Sequence, residues 1–198
     1  FYSNVEAGKD DRAKLLEEAL AHREEYNRIA QRVVPANNWI RGVGKNYEGL
    51  MKLDWAKLET DKEKRRALLE SAVSIMDDCV SRWESWILSR PVPTLIATVA
   101  RFMDSFGEIL CELYQLTGDT KTLNRTVDVY EGAAKNYRKV NLPSRAAESY
   151  WKMARSQDRL GKHFKAAENF DTAFAEYRAA AQKIPHFADF YLDYATYM

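Results

Sequence analysis

The sequence predicts an all-α protein of antiparallel helix pairs stacked side by side. Three observations predict it. Apolar residues recur at three- and four-residue steps, without the sustained apolar–polar alternation that strands need. Pro35, Pro91, Pro93, Pro143 and Pro185 all fall between the periodic stretches, where a residue lacking an N–H ends or opens a helix. One helix–turn–helix pattern also returns in several imperfect copies.

Eight helices are expected, over 9–33, 37–59, 61–89, 93–117, 120–140, 143–161, 163–183 and 186–198, each rich in good helix formers. In the first, Arg12, Leu15, Leu16, Glu17 and Ala19 match Arg65, Leu68, Leu69, Glu70 and Ala72 of the third at one constant offset. The second opens with Gly42-Val43-Gly44-Lys45-Asn46, which we read as a flexible helix start. The first glycine of a phosphate loop is missing there, Asn46 stands where Ser or Thr would bind magnesium, and no strand precedes it. Leu58-Glu59-Thr60-Asp61 is the turn into the third helix, where Leu68, Leu69, Ala72, Met76 and Cys79 form the apolar face.

The fourth helix ends at Leu116-Thr117-Gly118-Asp119, and the fifth carries Thr126, Tyr130, Ala133 and Tyr137. On the sixth, Ala147, Tyr150, Ala154, Gln157 and Gly161 share a side with Met153 and Leu160; on the seventh, Ala166, Phe170, Ala173 and Tyr177 recur. Small residues alternating with aromatics let two helices approach and interlock. The turn Leu160-Gly161-Lys162 is short, so this pair must be an antiparallel hairpin. Phe187, Phe190, Tyr191, Tyr194 and Tyr197 make the eighth helix too apolar for solvent. It is expected to pack on helix 163–183 as the first half of a further repeat, with its open side inviting self-association. A unit that cannot bury its apolar face alone must stack on its neighbours, which makes a solenoid rather than a closed bundle.

These residues resemble a tetratricopeptide repeat (TPR). From Ala147 to Ala173 the aromatic Tyr150, large Met153, small Ala154, turn Gly161 and then Ala166, Phe170 and Ala173 stand at the family's spacings. Leu116 to Ala133 is similar to a variant with a lengthened Thr-Gly-Asp turn. The pattern departs from the family where Ala72, Thr126 and Ala166 lie about 54 and 40 residues apart instead of near 34, and where Gln157 replaces a common aromatic. It is similar also to longer-helixed relatives, such as the soluble attachment proteins of vesicle fusion and the repeats of large signalling ATPases. The resemblance implies a right-handed α-solenoid whose concave face receives peptides or partner domains.

Composition narrows the function classes. The 198 residues are 46% hydrophobic and 30% charged, with a net charge of +1, so no global field draws the chain to nucleic acid or anionic membrane. Five Trp and eleven Tyr supply a well-filled core. Cys79 and Cys111 sit in apolar helical patterns and read as reduced core thiols, which places the protein in the cytoplasm. The most apolar stretch, Thr94 to Met103, is too short to span a membrane and carries Arg101. The start has no signal-peptide pattern, and the chain opens at Phe1 and ends at Met198 in an apolar run. We therefore expect one repeat domain over 1–198, cut from a larger protein.

No residues converge as an active site would need. His22, His163 and His186 are far apart in sequence; Glu18 and His22 share a helix face but do not make a metal site. Asp77-Asp78 lacks the second acidic motif of a prenyl-diphosphate site and reads as solvated. Neither catalysis, a cofactor nor a metal is expected.

The notable feature is electrostatic. Between Lys135 and Lys165 stand nine Lys or Arg against Glu148 and Asp158. Arg145, Lys152, Arg155, Arg159 and Lys162 fall at steps of 7, 3, 4 and 3, a stripe roughly 100° wide opposite the Tyr150–Met153–Ala154 face. The resemblance puts Trp151, Arg155 and Arg159 on the inner surface, where a Trp flanked by guanidinium groups can cradle an acidic or C-terminal carboxylate. Trp151, Lys152, Arg155, Arg159 and Lys162 are thus the candidate partner-binding residues. Against this, Glu108, Glu112 and Gln115 occupy the equivalent inner positions of the preceding first helix, and Glu112 could pair with Arg155 at about 1 kcal/mol or less. The stripe is too short, and exposed aromatics too few, for nucleic acid. The expectation is a scaffold or adaptor that binds a protein or acidic peptide in its groove. The alternative is a regulatory or sensory repeat fused to an ATPase or signalling enzyme.

Overall fold

The computed structural model describes residues 9–33 and 39–181. They form α1 (Lys9–Val33), α2 (Trp39–Leu58), α3 (Lys62–Ser89), α4 (Pro93–Thr117), α5 (Thr120–Lys139), α6 (Pro143–Arg159) and α7 (His163–Ala181). Seven of the eight expected helices are therefore present, with no strand among the described residues. The eighth, 186–198, and its docking lie outside the described residues. The chain divides into two compact units, Phe1–Trp86 and Ile87–Met198, with the division inside the last turn of α3.

In the first unit α1 packs on α2 through Leu20, Asn27 and Ala30, while Leu15, Tyr26, Ile29 and Val33 remain exposed. Asn27 Nδ2 donates to Glu48 Oε2 at 2.6 Å, and Lys52 pairs with Glu24 at 2.8 Å. Asp61 caps α3 by accepting from the amides of Glu63 and Lys64 at 2.9 and 3.1 Å, which satisfies two otherwise orphaned donors. The α3 face named from the sequence is the core here, with Leu69, Ala72, Met76 and Cys79 at 1% exposure or less.

The glycines of α2 have a different role from the flexible start expected of them. Gly42 and Gly44 lie within the helix, where an added Cβ would strike the Trp83 indole and the Asn27 side chain respectively. They let α3 and α1 come close to α2. Lys45 pairs with Asp78, which Arg82 also reaches at 2.5 Å, so Asp78 is a half-buried ion-pair centre and not the solvated acid expected. The Asp78 carboxyl faces a burial cost, but the two cations bring it below the usual range.

The second unit is two helical hairpins, α4–α5 and α6–α7, with α5 also packed on α6. Its turns follow from local chemistry. Gly118 takes φ 69° and ends α4, and Asp119 caps α5 by accepting from the Lys121 and Thr122 amides, each at 3.1 Å. Helix α5 closes with Asn141 at φ 58° and a Leu142 amide to Tyr137 carbonyl bond of 3.0 Å; α6 closes with Gly161 at φ 71° and Lys162 to Gln157 at 2.9 Å. Both are Schellman closures, in which a left-handed residue turns the chain back and satisfies the last carbonyls. Pro93 and Pro143 stand at helix starts, where their missing N–H costs nothing.

The facing stripes read from the sequence are the core. Ala147, Ala154, Ala133 and Ala173 are wholly buried, and Tyr150, Met153, Phe170, Tyr177, Tyr130 and Tyr137 are 8% exposed or less. Gln157, standing in place of an aromatic, is buried and accepts from Asn169 Nδ2 at 2.8 Å. Thr126 fills its small position and returns its hydroxyl to the Thr122 carbonyl at 3.0 Å. The hairpins are TPR-like at the residues that carried the resemblance.

Candidate functional site

Helix α6 has three working faces. Toward α5 and α7 it presents Ala147, Tyr150 and Ala154; the Tyr150 hydroxyl accepts from Arg138 at 3.3 Å, and Arg138 pairs with Glu176 of α7 at 2.9 Å. Toward α4 it presents Ser149, Lys152 and Ser156, at helical steps that match Asp104, Glu108 and Cys111. Ser149 Oγ donates to Asp104 at 2.7 Å, Lys152 Nζ donates to Glu108 at 2.7 Å, and Ser156 Oγ meets Cys111 Sγ at 4.0 Å. Sequence reasoning missed this ladder, although Asp104, Glu108 and Cys111 share one side of the helix.

The third face holds what remains of the basic stripe. Arg145 pairs with Glu148 at 3.1 Å, and Lys152 reaches both Glu108 and, at 3.2 Å, Glu148. Lys162 donates to Asn124 Oδ1 at 2.7 Å, across the two hairpin turns. The ion pair that joins the first helices is therefore Lys152–Glu108. Arg155 and Arg159 are exposed and make no ion pair among the described residues. Between them and α7 the half-buried Trp151 stands edge-on to Phe170, with ring centroids 4.9 Å apart, against Ala154 and Ala166. Of the five candidates, Trp151, Arg155 and Arg159 line one surface, Lys162 lies at its end, and Lys152 is turned into the α4–α6 contact.

Electrostatics explain that division. Lys152 loses hydration, which pulls its pKa down, yet Glu108, Glu148 and Asp104 together raise it, so it stays charged. Its ammonium also lies 5.8 Å from the centre of the buried Tyr130 ring. Burial lifts the Asp104 carboxyl to about 6 despite the Ser149 hydrogen bond, the Lys152 charge and the Tyr137 hydroxyl. Burial likewise pushes the Cys79 thiol up to about 12 and raises that of Cys111, so both free cysteines are poor nucleophiles. His163 sits at the start of α7 with Nδ1 2.8 Å from Asp158, and His22 is exposed on α1; His186 lies outside the described residues. Among the described residues no three His, Cys, Asp or Glu are arranged to hold a metal ion, and no helix is long and apolar enough to cross a membrane.

No family model matches the sequence, and no curated protein matches it. Solved structures do. One described as the DHF58 filament matches over 94% of this chain and 88% of its own, at 15% identity and a TM-score of 0.50. The de novo designed helical repeat protein DHR64 matches over 92% of this chain and 100% of its own, at 15% identity and a TM-score of 0.44. Nearly identical TPR-like repeats from Podosopora anserina match over 88% and 95%, at 12% identity and a TM-score of 0.34. At these identities the likeness is one of fold. The class that the hairpins define is the TPR-like helical repeat.

Proposed function

We propose that the chain is a protein-interaction module and that the Trp151–Arg155–Arg159 surface of α6, extended by Lys162, receives an acidic segment of a partner protein. One observation carries the reading: Arg155 and Arg159 stay exposed one turn apart beside a Trp ring held in place by Phe170, while neighbouring Arg145 and Lys152 are already neutralised. Two guanidinium groups at this spacing can each take a carboxylate in a bidentate fork, and an aromatic anchor beside them adds apolar contact. TPR-like folds generally mediate protein–protein contacts, which supports the same reading. Free, poorly reactive thiols fit a reducing compartment such as the cytoplasm.

Binding of a library of short peptides, at low and moderate salt, tests it. Acidic peptides should bind the wild type in a salt-sensitive way and be lost by the Arg155→Glu/Arg159→Glu variant. If neither protein binds while both stay folded, the arginines are ordinary solvated surface and the reading fails.

A further inference from the structure

Helix α1 carries a second surface that its own unit leaves open. Leu15, Ala19, His22, Tyr26, Ile29 and Val33 follow at steps of 4, 3, 4, 3 and 4, and all six are exposed. Among them Leu15 is 59%, Ile29 48% and Val33 73% exposed, far from the values of a core face. A strict alternation of threes and fours averages 3.5 residues, the spacing of a two-helix seam and not of a helix resting on a globular core. The stripe runs ~27 Å along the helix. Contacts with α2 centre on the buried Leu20, Asn27 and Ala30; of the stripe, the Tyr26 ring also reaches toward Gly44 of α2, yet it stays 46% exposed, so docking on α2 leaves the stripe open.

The seam's edges indicate what covers it. Along one edge stand exposed Glu18 and Glu25; on the other lies Arg23, its guanidinium held over the Tyr26 and Tyr47 rings at 5.3 and 5.5 Å. In a parallel seam each edge residue faces the one five positions on in the partner helix. Glu18 then meets Arg23 of a second copy, and the two-fold repeats the pair. Glu25 finds no charged residue five positions on, where Ala30 is buried against α2, and its charge is already matched within the helix by Arg28 at 2.6 Å. No like charges meet along either edge. We propose that α1 is a self-association surface on which two copies pack in parallel and in register, with Leu15, Ala19, His22, Tyr26, Ile29 and Val33 as the seam and Glu18–Arg23 pairs on both sides.

Sedimentation equilibrium of the full chain, from micromolar to submillimolar protein, reads this directly. The wild type should dimerise. Ile29→Glu should raise the dissociation constant about tenfold or more with helicity unchanged, because the side chain is exposed. Glu18→Arg and Arg23→Glu should each weaken the dimer, and the double variant should restore it. Ala19→Cys should cross-link to itself under mild oxidation. A monomer at every concentration, or a dimer indifferent to Ile29→Glu, would overturn the proposal. Charge reversals that fail to compensate, together with no Ala19→Cys cross-link, would overturn the parallel arrangement.

Discussion

The Lys152 ammonium lies 2.7 Å from Glu108 Oε1, and this contact joins the first helices of two successive hairpins. Glu148, which Arg145 also pairs, and Asp104 share the same cation. Removing it leaves Glu108 and Asp104 without that charge and with reduced access to water. Lys152→Met is therefore expected to cost ~1–3 kcal/mol at neutral pH, and less in mild acid as Asp104 takes up a proton. Arg155→Ala, at an exposed position of the same stripe, should stay within ~0.5 kcal/mol. Urea unfolding of both variants at two pH values checks the contrast; equal effects would mean that the stripe is not divided as described.

Gly107 of α4 leaves the space that the Tyr130 ring of α5 occupies, and an added Cβ would collide with ring carbons. Tyr130 is 2% exposed and cannot swing out without opening the core. Alanine ordinarily favours a helix over glycine by ~1 kcal/mol. Here overpacking should exceed that gain, and we expect Gly107→Ala to destabilise by ~1–2 kcal/mol net. Tyr130→Leu in the same background should recover part of the loss, because it frees the volume the new methyl needs. Thermal unfolding of the two singles and the double measures the coupling.

Much of this fold was legible because its determinants are local. Prolines, the Thr-Gly-Asp turn and the Gly161 turn set helix ends through backbone chemistry that depends on few neighbours, and the helix ends that border described turns, from Leu58 to His163, fall within two residues of those expected. The small–aromatic stripes on α6 and α7 were legible for the same reason: spacing alone assigns them to one face. The division of the basic stripe was not, since it depends on where α4 lies beside α6. Residues 44 apart in sequence, Glu108 and Lys152, meet only once the hairpins stack. The α2 glycines were misread because a glycine inside a helix gives the same local signal whether it loosens the chain or admits a neighbouring ring. Gln157, a departure from the family pattern, was explained only by Asn169 across the hairpin.

Asp104 gives the protein a distinctive pH response. Burial holds its carboxyl near 6, whereas the unfolded chain titrates near ~3.9. Between those values the folded state binds the proton that the unfolded state has released, so this residue makes stability fall as pH rises from ~4 to ~6 and stay flat above. Asp78, lowered by Lys45 and Arg82 against its burial, acts in the opposite sense, and its contribution is lost as pH falls below the ordinary carboxylate range. Of these two contributions, both are favourable only in mild acid. Asp104→Asn keeps an acceptor for Ser149 and removes the ionisation, so it should raise stability at pH 7 by ~1–2 kcal/mol and abolish the decline between pH ~4 and ~6. Urea titrations across that range, on the wild type and Asp104→Asn, read the slope directly. A slope that Asp104→Asn leaves unchanged would mean that Asp104 titrates near its unfolded value and that Lys152 and the hydrogen bonds offset its burial.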